Sequence, residues 1–122
     1  MEKPEKNNQV YFYVEFWRFR PAWIGLTPDE RKSWMDKLLA GLGQQIQSGV
    51  ELIGFALNDE DTTHSSGYDF LAVWKMPNKE IAMKFEDFVE ASGLHEYYEQ
   101  VNTRGQSLEM EEMVTALLNT QK

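Results

Sequence analysis

Residues 10–20, which read Val-Tyr-Phe-Tyr-Val-Glu-Phe-Trp-Arg-Phe-Arg, are the densest aromatic and β-branched run in the chain. Such a composition predicts a β-strand. Successive side chains of a strand point to opposite faces, and here both faces are mostly apolar, with Glu15 interrupting one of them. The segments 50–57 and 68–76 predict two further strands with the same lack of alternation. A sheet with one face in water alternates apolar and polar residues, so we expect both faces of this sheet to be covered.

A long helix is predicted between the first two strands, over residues 27–48. Thr27 and Glu30 have the spacing of a capping box, which marks a helix start. The apolar side chains behind them recur at helical spacing, which predicts an apolar stripe along one side: Met35, Leu38, Leu39, Leu42 and Ile46. Gly41 and Gly43 weaken this helix and indicate either close packing or a kink.

Two further helices and an ambiguous stretch follow. The spacing of apolar residues predicts a helix over 78–92 and a C-terminal helix over about 107–120, capped by Ser107. Residues 94–105 fit either a short helical turn or a short fourth strand, and the pattern leaves both open. Residues 1–9 are charged and polar, which predicts a disordered tail before a single domain of residues 10–122.

The charge and residue inventory exclude several functions. The chain has 122 residues, 20 of them acidic against 12 basic, so its formal net charge is −8. A negative field repels phosphate backbones and anionic lipids, so we expect no nucleic-acid partner and no membrane partner. The chain has no cysteine and only two histidines, from which we expect no metal and no cofactor. We see no signal peptide and no membrane span, so a cytoplasmic location is expected.

The order strand–helix–strand–strand–helix–strand predicts a ferredoxin-like α+β fold, βαββαβ, with an antiparallel sheet and an added C-terminal helix. Both crossover helices then lie on the same side of the sheet and cover one face. The other face can be covered by the C-terminal helix of the same chain or by the sheet of a second copy. We favour a sheet-to-sheet homodimer with an aromatic-lined interior, because both faces carry many aromatic residues.

The third predicted strand runs directly into the second helix as Phe70-Leu-Ala-Val-Trp74-Lys-Met-Pro-Asn-Lys-Glu-Ile-Ala82. This strand ending in Trp before an Ala-containing helix, with the element order over residues 10–104, resembles the dimeric α+β-barrel superfamily, which includes antibiotic-biosynthesis-monooxygenase-like domains. The resemblance implies two ferredoxin-like units that pair through their sheets, with pockets between sheet and helices. Monooxygenase-like members often carry a His on that helix. Here the nearest is His95, beyond the helix, which argues against oxygenase and haem-degrading chemistry.

Glu15 is the candidate catalytic residue, because it interrupts an aromatic face between Tyr13 and Trp17. Loss of solvation on that face would raise its pKa and suit a general acid or base. The alternative is a structural carboxylate paired with an Arg across the sheet or the dimer axis. The candidate ligand-binding residues are five aromatic side chains and one histidine, for which core packing is the alternative interpretation: Tyr11, Tyr13, Trp17, Trp74, Phe85 and His95.

Two functions remain open from the sequence. The first is a homodimeric α+β-barrel protein that binds or acts on a small aromatic or lipophilic molecule, in a monooxygenase-like manner. The second is a non-catalytic dimeric structural or interaction module whose aromatic residues serve folding and association. An enclosed cavity with a polar group aimed into it would favour the first, whereas a space filled by ring side chains would favour the second.

Overall fold

Four strands and five helices form along residues 10–121, which are the residues that the computed structural model describes. The strands are β1 (Tyr11–Phe19), β2 (Glu51–Leu57), β3 (Phe70–Met76) and β4 (Tyr98–Gln106). The helices are α1 (Pro21–Ile24), α2 (Pro28–Gln47), α3 (Lys79–Ala91), α4 (Leu94–Tyr97) and α5 (Met110–Leu118). None of these helices is both long and apolar enough to cross a membrane. The predicted tail, residues 1–9, lies outside the described residues.

The four strands form one antiparallel sheet in the order β2-β3-β1-β4, which confirms the predicted ferredoxin-like α+β fold. The aromatic strand β1 lies inside the sheet, between β3 and β4. In this register Tyr13 stands opposite Trp74, and Glu15 stands opposite Ala72 of β3 and Asn102 of β4. The side chains of these residues therefore share one face of the sheet.

Helices α2 and α3 cover the face that carries Tyr13 and Trp74. The Phe85 ring of α3 packs edge-on against Tyr13, with ring centroids 5.4 Å apart, and lies 5.1 Å from the Trp74 ring. All three side chains are buried. Burial of an aromatic side chain of this size stabilises the fold by roughly 2–3 kcal/mol, so these rings anchor α3 to the sheet.

Helix α2 begins with the predicted capping box and then approaches α3 closely. The Thr27 hydroxyl accepts a hydrogen bond from the Glu30 N–H at 3.1 Å, and the Glu30 carboxylate accepts one from the Thr27 N–H at 2.8 Å. A Cβ atom at Gly41 would overlap the Phe88 ring of α3, whereas one at Gly43 would meet nothing within 4 Å. Close packing, one of the two alternatives for these glycines, therefore applies at Gly41.

Alanine at these two glycines is expected to have opposite effects on stability. Gly43→Ala should raise the free energy of unfolding by about 0.5–1 kcal/mol, because Ala favours a helix and its methyl group meets no neighbour. Gly41→Ala should lower it by about 1–3 kcal/mol, because the Phe88 ring must move. Urea denaturation of both variants measures the difference. Equal stability of the two variants would show that α2 and α3 are not in contact at Gly41 in solution.

The short helix α1, which follows β1, was not predicted. Pro21 occupies its first turn, and Arg20 precedes it in an extended conformation. The helix places Trp23 against Trp34 of α2 and Tyr98 of β4, with ring centroids 5.7 Å and 5.0 Å apart. One helical turn is too short to show an apolar period in the sequence, so only this packing reveals it.

Residues 94–105 adopt both of the structures left open by the sequence. Leu94–Tyr97 form the helical turn α4, and the strand β4 begins directly afterwards, at Tyr98. Gly93 precedes the turn with φ of 82°, in the left-handed region that favours glycine, and so lets the chain leave α3. Leu94 and Tyr98 are buried, which holds the turn against the core.

The C-terminal helix begins later than predicted. Its first residue is Met110, and Glu109 and Glu112 form its capping box. The prediction that Ser107 caps it is wrong, because the Ser107 hydroxyl instead accepts a hydrogen bond from the Val10 N–H at 3.1 Å. The apolar side chains of α5 remain exposed, with Leu118 at 80%. The helix therefore does not bury its apolar stripe against the described part of the chain.

The second face of the sheet is uncovered in the described chain. Phe12 and Val101 on this face are 45% and 44% exposed, so α5 does not cover it. The register places further apolar side chains on the same face: Val14, Phe16, Ala56, Leu71 and Val73. We call these seven residues the open sheet face. The sequence analysis expected most of the aromatic side chains to line the space between two copies. That placement is wrong, because the face with most of the rings lies under the chain's own helices.

Candidate functional site

A cavity of about 180 Å³ lies between the covered face of the sheet and helices α2 and α3. It exists because α2 packs loosely, with Leu38 as the one residue of that helix that is buried. Glu15 is the one ionisable side chain among those that line the cavity. The others are apolar: Trp17, Met35, Leu38, Leu39, Leu42, Phe55, Phe70, Trp74, Phe85, Phe88, Val89 and Leu94. The site is thus an apolar space with a single carboxylate in its wall.

Three N–H donors hold the Glu15 carboxylate in place. Trp17 Nε1 donates to Oε1 at 2.8 Å, and Gln100 Nε2 donates to the same oxygen at 2.7 Å. Trp74 Nε1 donates to Oε2 at 2.7 Å. The side chain is only 1% exposed, as expected for a buried charge that must be hydrogen-bonded. A carboxylate has about four acceptor positions, so these three hydrogen bonds do not use all of them.

Burial raises the pKa of Glu15 above its ordinary value, because the ionised form loses its hydration. The hydrogen bonds from Trp17 and Trp74 stabilise the ionised form and oppose this rise. The alternative that Glu15 pairs with an Arg across the sheet is wrong, since its donors within the described chain are two indoles and an amide. A pairing across the dimer axis stays a prediction. A carboxylate with a raised pKa is a stronger base than an ordinary one, which is the property of a general base.

A polar cleft of about 340 Å³ adjoins Glu15 through Gln100. The Gln100 side chain lines the cleft, donates to Glu15, and contacts His95 Nε2 through its own carbonyl oxygen at 2.6 Å. Tyr13 also lines the cleft, and burial together with the Glu86 and Glu15 carboxylates raises the pKa of its hydroxyl. The cavity and the cleft are therefore connected by a short series of hydrogen bonds.

Neither the cavity nor the cleft, both formed by described residues, has the side chains of a metal site. Among residues 10–121 no three His, Asp or Glu side chains are grouped to hold a metal ion. The cleft carries three carboxylates, and one of them, Glu86, is paired with Arg104 at 2.8 Å. Glu15, the carboxylate at the cavity wall, is therefore the strongest candidate for acid–base chemistry.

The structure divides the predicted site residues among three places. Four line the cavity: Glu15, Trp17, Trp74 and Phe85. Two line the adjoining cleft: Tyr13 and His95. Tyr11 lines neither and lies instead near Pro77 and Gln106, toward the opposite end of β1. The structure therefore does not place Tyr11 beside the other predicted site residues.

Sequence analysis missed the most informative residue of the site, Gln100. It lies in the stretch whose structure was left open, and nothing in its neighbours marks it as a partner of Glu15. The apolar wall from α2 was also missed, although its signal was present in the stripe that includes Leu38, Leu39 and Leu42. The spacing of that stripe predicts an apolar helix face, but it does not reveal the space that the structure leaves beneath it.

Comparison with known families identifies the chain. The model of the Family of unknown function (DUF6616) matches residues 10–120. The chain belongs to this family. The match includes all four strands together with Glu15, His95 and Gln100, so the site lies within the domain that defines DUF6616. No curated protein matches the chain.

Solved structures share the fold of this DUF6616 member at low identity. A mutant chlorite dismutase from Candidatus Nitrospira defluvii is 14% identical, with a TM-score of 0.65 over 89% of this chain and 47% of its own. A structure described provisionally as a chlorite dismutase is 13% identical, with a TM-score of 0.57 over 88% and 48%. This chain thus spans about half the length of both structures. At these identities the likeness shows the fold alone.

A weaker likeness is to a dimeric ferredoxin-like protein of unknown function from Thermobifida fusca. It is 12% identical, with a TM-score of 0.48 over 80% of this DUF6616 chain and 90% of its own. The description of the Thermobifida fusca protein calls it dimeric, and this applies to that protein alone.

Proposed function

We propose that this chain binds a small, largely apolar molecule in the cavity, and that Glu15 accepts a hydrogen bond or a proton from it. The observation that carries the proposal is the pairing of an apolar cavity with one buried carboxylate in its wall. Empty apolar space and a buried charge both cost stability, so a purely structural protein gains nothing from placing them together.

The size of the cavity limits the molecule to about one ring. Pockets for drug-sized ligands measure roughly 300 Å³ or more, whereas this cavity measures about 180 Å³. An apolar cavity of about 150 Å³ accommodates benzene. A single aromatic ring or a branched aliphatic group of similar volume therefore fits, and one O–H or N–H donor on it would satisfy Glu15.

The chemistry that the site supports best is the transfer of a proton to Glu15. Glu15 is held by Trp17, Trp74 and Gln100, so it is oriented before a ligand enters. An apolar wall excludes water and keeps the carboxylate basic. We propose that Glu15 takes a proton from an O–H or N–H group of the bound ring, which leaves Glu15 as the neutral acid and the ligand as its anion. A monooxygenase-like reaction of that anion would need dioxygen as the oxidant.

Phenol and toluene are the probes that test this proposal, because they differ mainly in the hydroxyl group. We expect the wild-type protein to bind phenol about 10-fold more tightly than toluene, since a hydrogen bond to a charged group contributes roughly 1.5–3 kcal/mol. In Glu15→Gln this preference should disappear while toluene still binds. Ligand-observed NMR titration measures both affinities.

Two variants of α2 control for binding elsewhere. Leu39 lines the cavity and is 53% exposed, so Leu39→Trp should obstruct the cavity and abolish binding of both probes. Ile46, on the same helix, is 50% exposed and does not line the cavity, so Ile46→Trp should bind as the wild type does. Equal affinities for phenol and toluene in the wild type, or binding that persists in Leu39→Trp, would refute the proposed site.

We infer further that two copies pair through the open sheet face. The face is apolar at its centre, where Val14 of β1 lies beside Val73 and Leu71 of β3. In a monomer this apolar surface would be exposed to water. Four charged side chains near the ends of this face form two ion pairs, Arg18 with Glu99 at 2.6 Å and Lys75 with Glu51 at 3.9 Å. The face is therefore close to neutral, and two copies can approach despite the net charge of −8.

A non-catalytic dimeric module is the second candidate function. The open sheet face favours it, because that face accounts for association without any ligand. The two candidates separate on the probes described above. A wild-type protein that dimerises but binds neither phenol nor toluene would favour the module, and the cavity would then be a packing defect beneath α2.

A further inference from the structure

A series of hydrogen bonds runs from the cavity wall to the solvent-facing cleft. Glu15 Oε1 accepts from Gln100 Nε2 at 2.7 Å, and Gln100 Oε1 lies 2.6 Å from His95 Nε2. The His95 ring continues toward Glu90, with Nδ1 3.5 Å from its carboxylate. Four elements supply these residues, β1, β4, α3 and α4, so the series forms only in the folded protein.

The partners of Gln100 determine which way its amide points. Its Nε2 donates both to Glu15 and to Asn102 Oδ1, the latter at 2.8 Å, which uses both of its N–H groups. Its carbonyl oxygen must then accept, so the facing His95 Nε2 carries a proton and donates. A reversed amide would place its oxygen against the Glu15 carboxylate, with two acceptors in contact.

We propose that Gln100 and His95 are positioning residues for Glu15: His95 holds the Gln100 carbonyl, and Gln100 thereby presents an N–H to the carboxylate at the cavity wall. The inference rests on the proposed function of Glu15. It adds that two residues of the cleft control the orientation and the charge state of this carboxylate. Neither residue lines the cavity, so neither contacts the proposed ligand. Both act on the charge state and orientation of Glu15.

Other charged groups near this series come from every element packed around it. Helix α3 contributes Glu86, Asp87 and Glu90 to the cleft, and β1 contributes Tyr13. Arg104 of β4 is paired with Glu86. A protonated His95 favours the negative charge of Glu15. Carboxylates close to an acidic group disfavour its ionised form, so those of α3 act in the opposite direction. The test must therefore separate the hydrogen bond from these charges.

The experiment follows the Glu15 carboxyl carbon by ¹³C NMR through a pH titration of the ligand-free, full-length protein. In Gln100→Leu the pKa of Glu15 should rise by about one to two pH units, because one N–H donor to the charged form is lost. His95→Leu should raise it by a smaller amount and should broaden or shift the Gln100 side-chain amide signals. His95→Gln, which keeps an N–H donor but cannot become charged, should restore the amide signals and bring the Glu15 pKa back below its value in His95→Leu.

Glu90→Gln is the matched control for charge. Its carboxylate faces His95, and its side chain is 73% exposed, so its removal should leave the fold intact. It removes a negative charge near the series, so any change in the Glu15 pKa should be a decrease, opposite in sign to His95→Leu. An unchanged pKa in Gln100→Leu, or His95→Gln behaving like His95→Leu, would overturn the positioning role. The phenol preference tests the proposed function separately, since it depends on Glu15 itself.

Discussion

A protein carrying Val14→Lys is expected to remain monomeric at concentrations at which the wild-type chain forms dimers. Val14 lies at the centre of the open sheet face, opposite Val73 of β3 and Thr103 of β4. In a symmetric pair each copy would bury an uncompensated ammonium group, which costs several kcal/mol. We expect the dimer dissociation constant to rise by at least about 100-fold, as measured by sedimentation velocity.

Met83→Lys is the control for this substitution. Met83 lies on α3 and is 50% exposed, so the same change of charge is made away from the sheet. This variant should dimerise as the wild type does, and circular dichroism should show both variants folded. A wild-type chain that sediments as a monomer throughout, or a Val14→Lys dimer of unchanged affinity, would refute pairing through the sheet.

Raising the pH should destabilise the wild-type protein relative to Glu15→Gln. The ordinary pKa of a glutamate is 4.5, and burial raises the pKa of Glu15 in the folded state. Folding therefore favours the protonated form. The contribution of Glu15 to stability is fully present below pH 4.5 and is lost as the pH rises through the folded-state pKa. The loss is about 1.4 kcal/mol for each pH unit by which folding raises the pKa.

Urea denaturation at a series of pH values measures this effect as a difference between two free energies of unfolding. At acid pH the Glu15→Gln protein should be the less stable of the two, because its amide turns an N–H toward an indole N–H. The difference should shrink as the pH rises. Glu60→Gln, in the exposed loop before β3, should keep the wild-type profile. A difference between wild type and Glu15→Gln that does not change with pH would show that Glu15 titrates normally.

The order of strands and helices was predictable from the sequence because its signals are local. The capping box of Thr27 and Glu30 and the aromatic run of β1 identify their elements without reference to the rest of the chain. Local signals mislead where a distant residue competes for the same group. Ser107 has the character of a helix cap, but Val10, 97 residues away, donates to its hydroxyl.

The burial of Glu15 was predictable from the sequence, whereas its hydrogen-bond partner Gln100 was not. Glu15 stands between Tyr13 and Trp17 on one face of a strand, so its burial follows from the pattern of that strand. Its partnership with Gln100, 85 residues away, depends on the register between β1 and β4. The residues next to Gln100 in the sequence do not show which residues of β1 it pairs with.

The amino-acid sequence by itself determined a sheet that is apolar on both faces and a carboxylate placed among rings, because side-chain alternation is a property of a single strand. Only the tertiary structure decided which face the helices cover, since both faces are apolar and the pattern of a strand does not mark either of them as the helix side. It also decided that α2 leaves a cavity beside Glu15. The space beneath a helix depends on side chains from several elements, and their volumes combine only when the chain is folded.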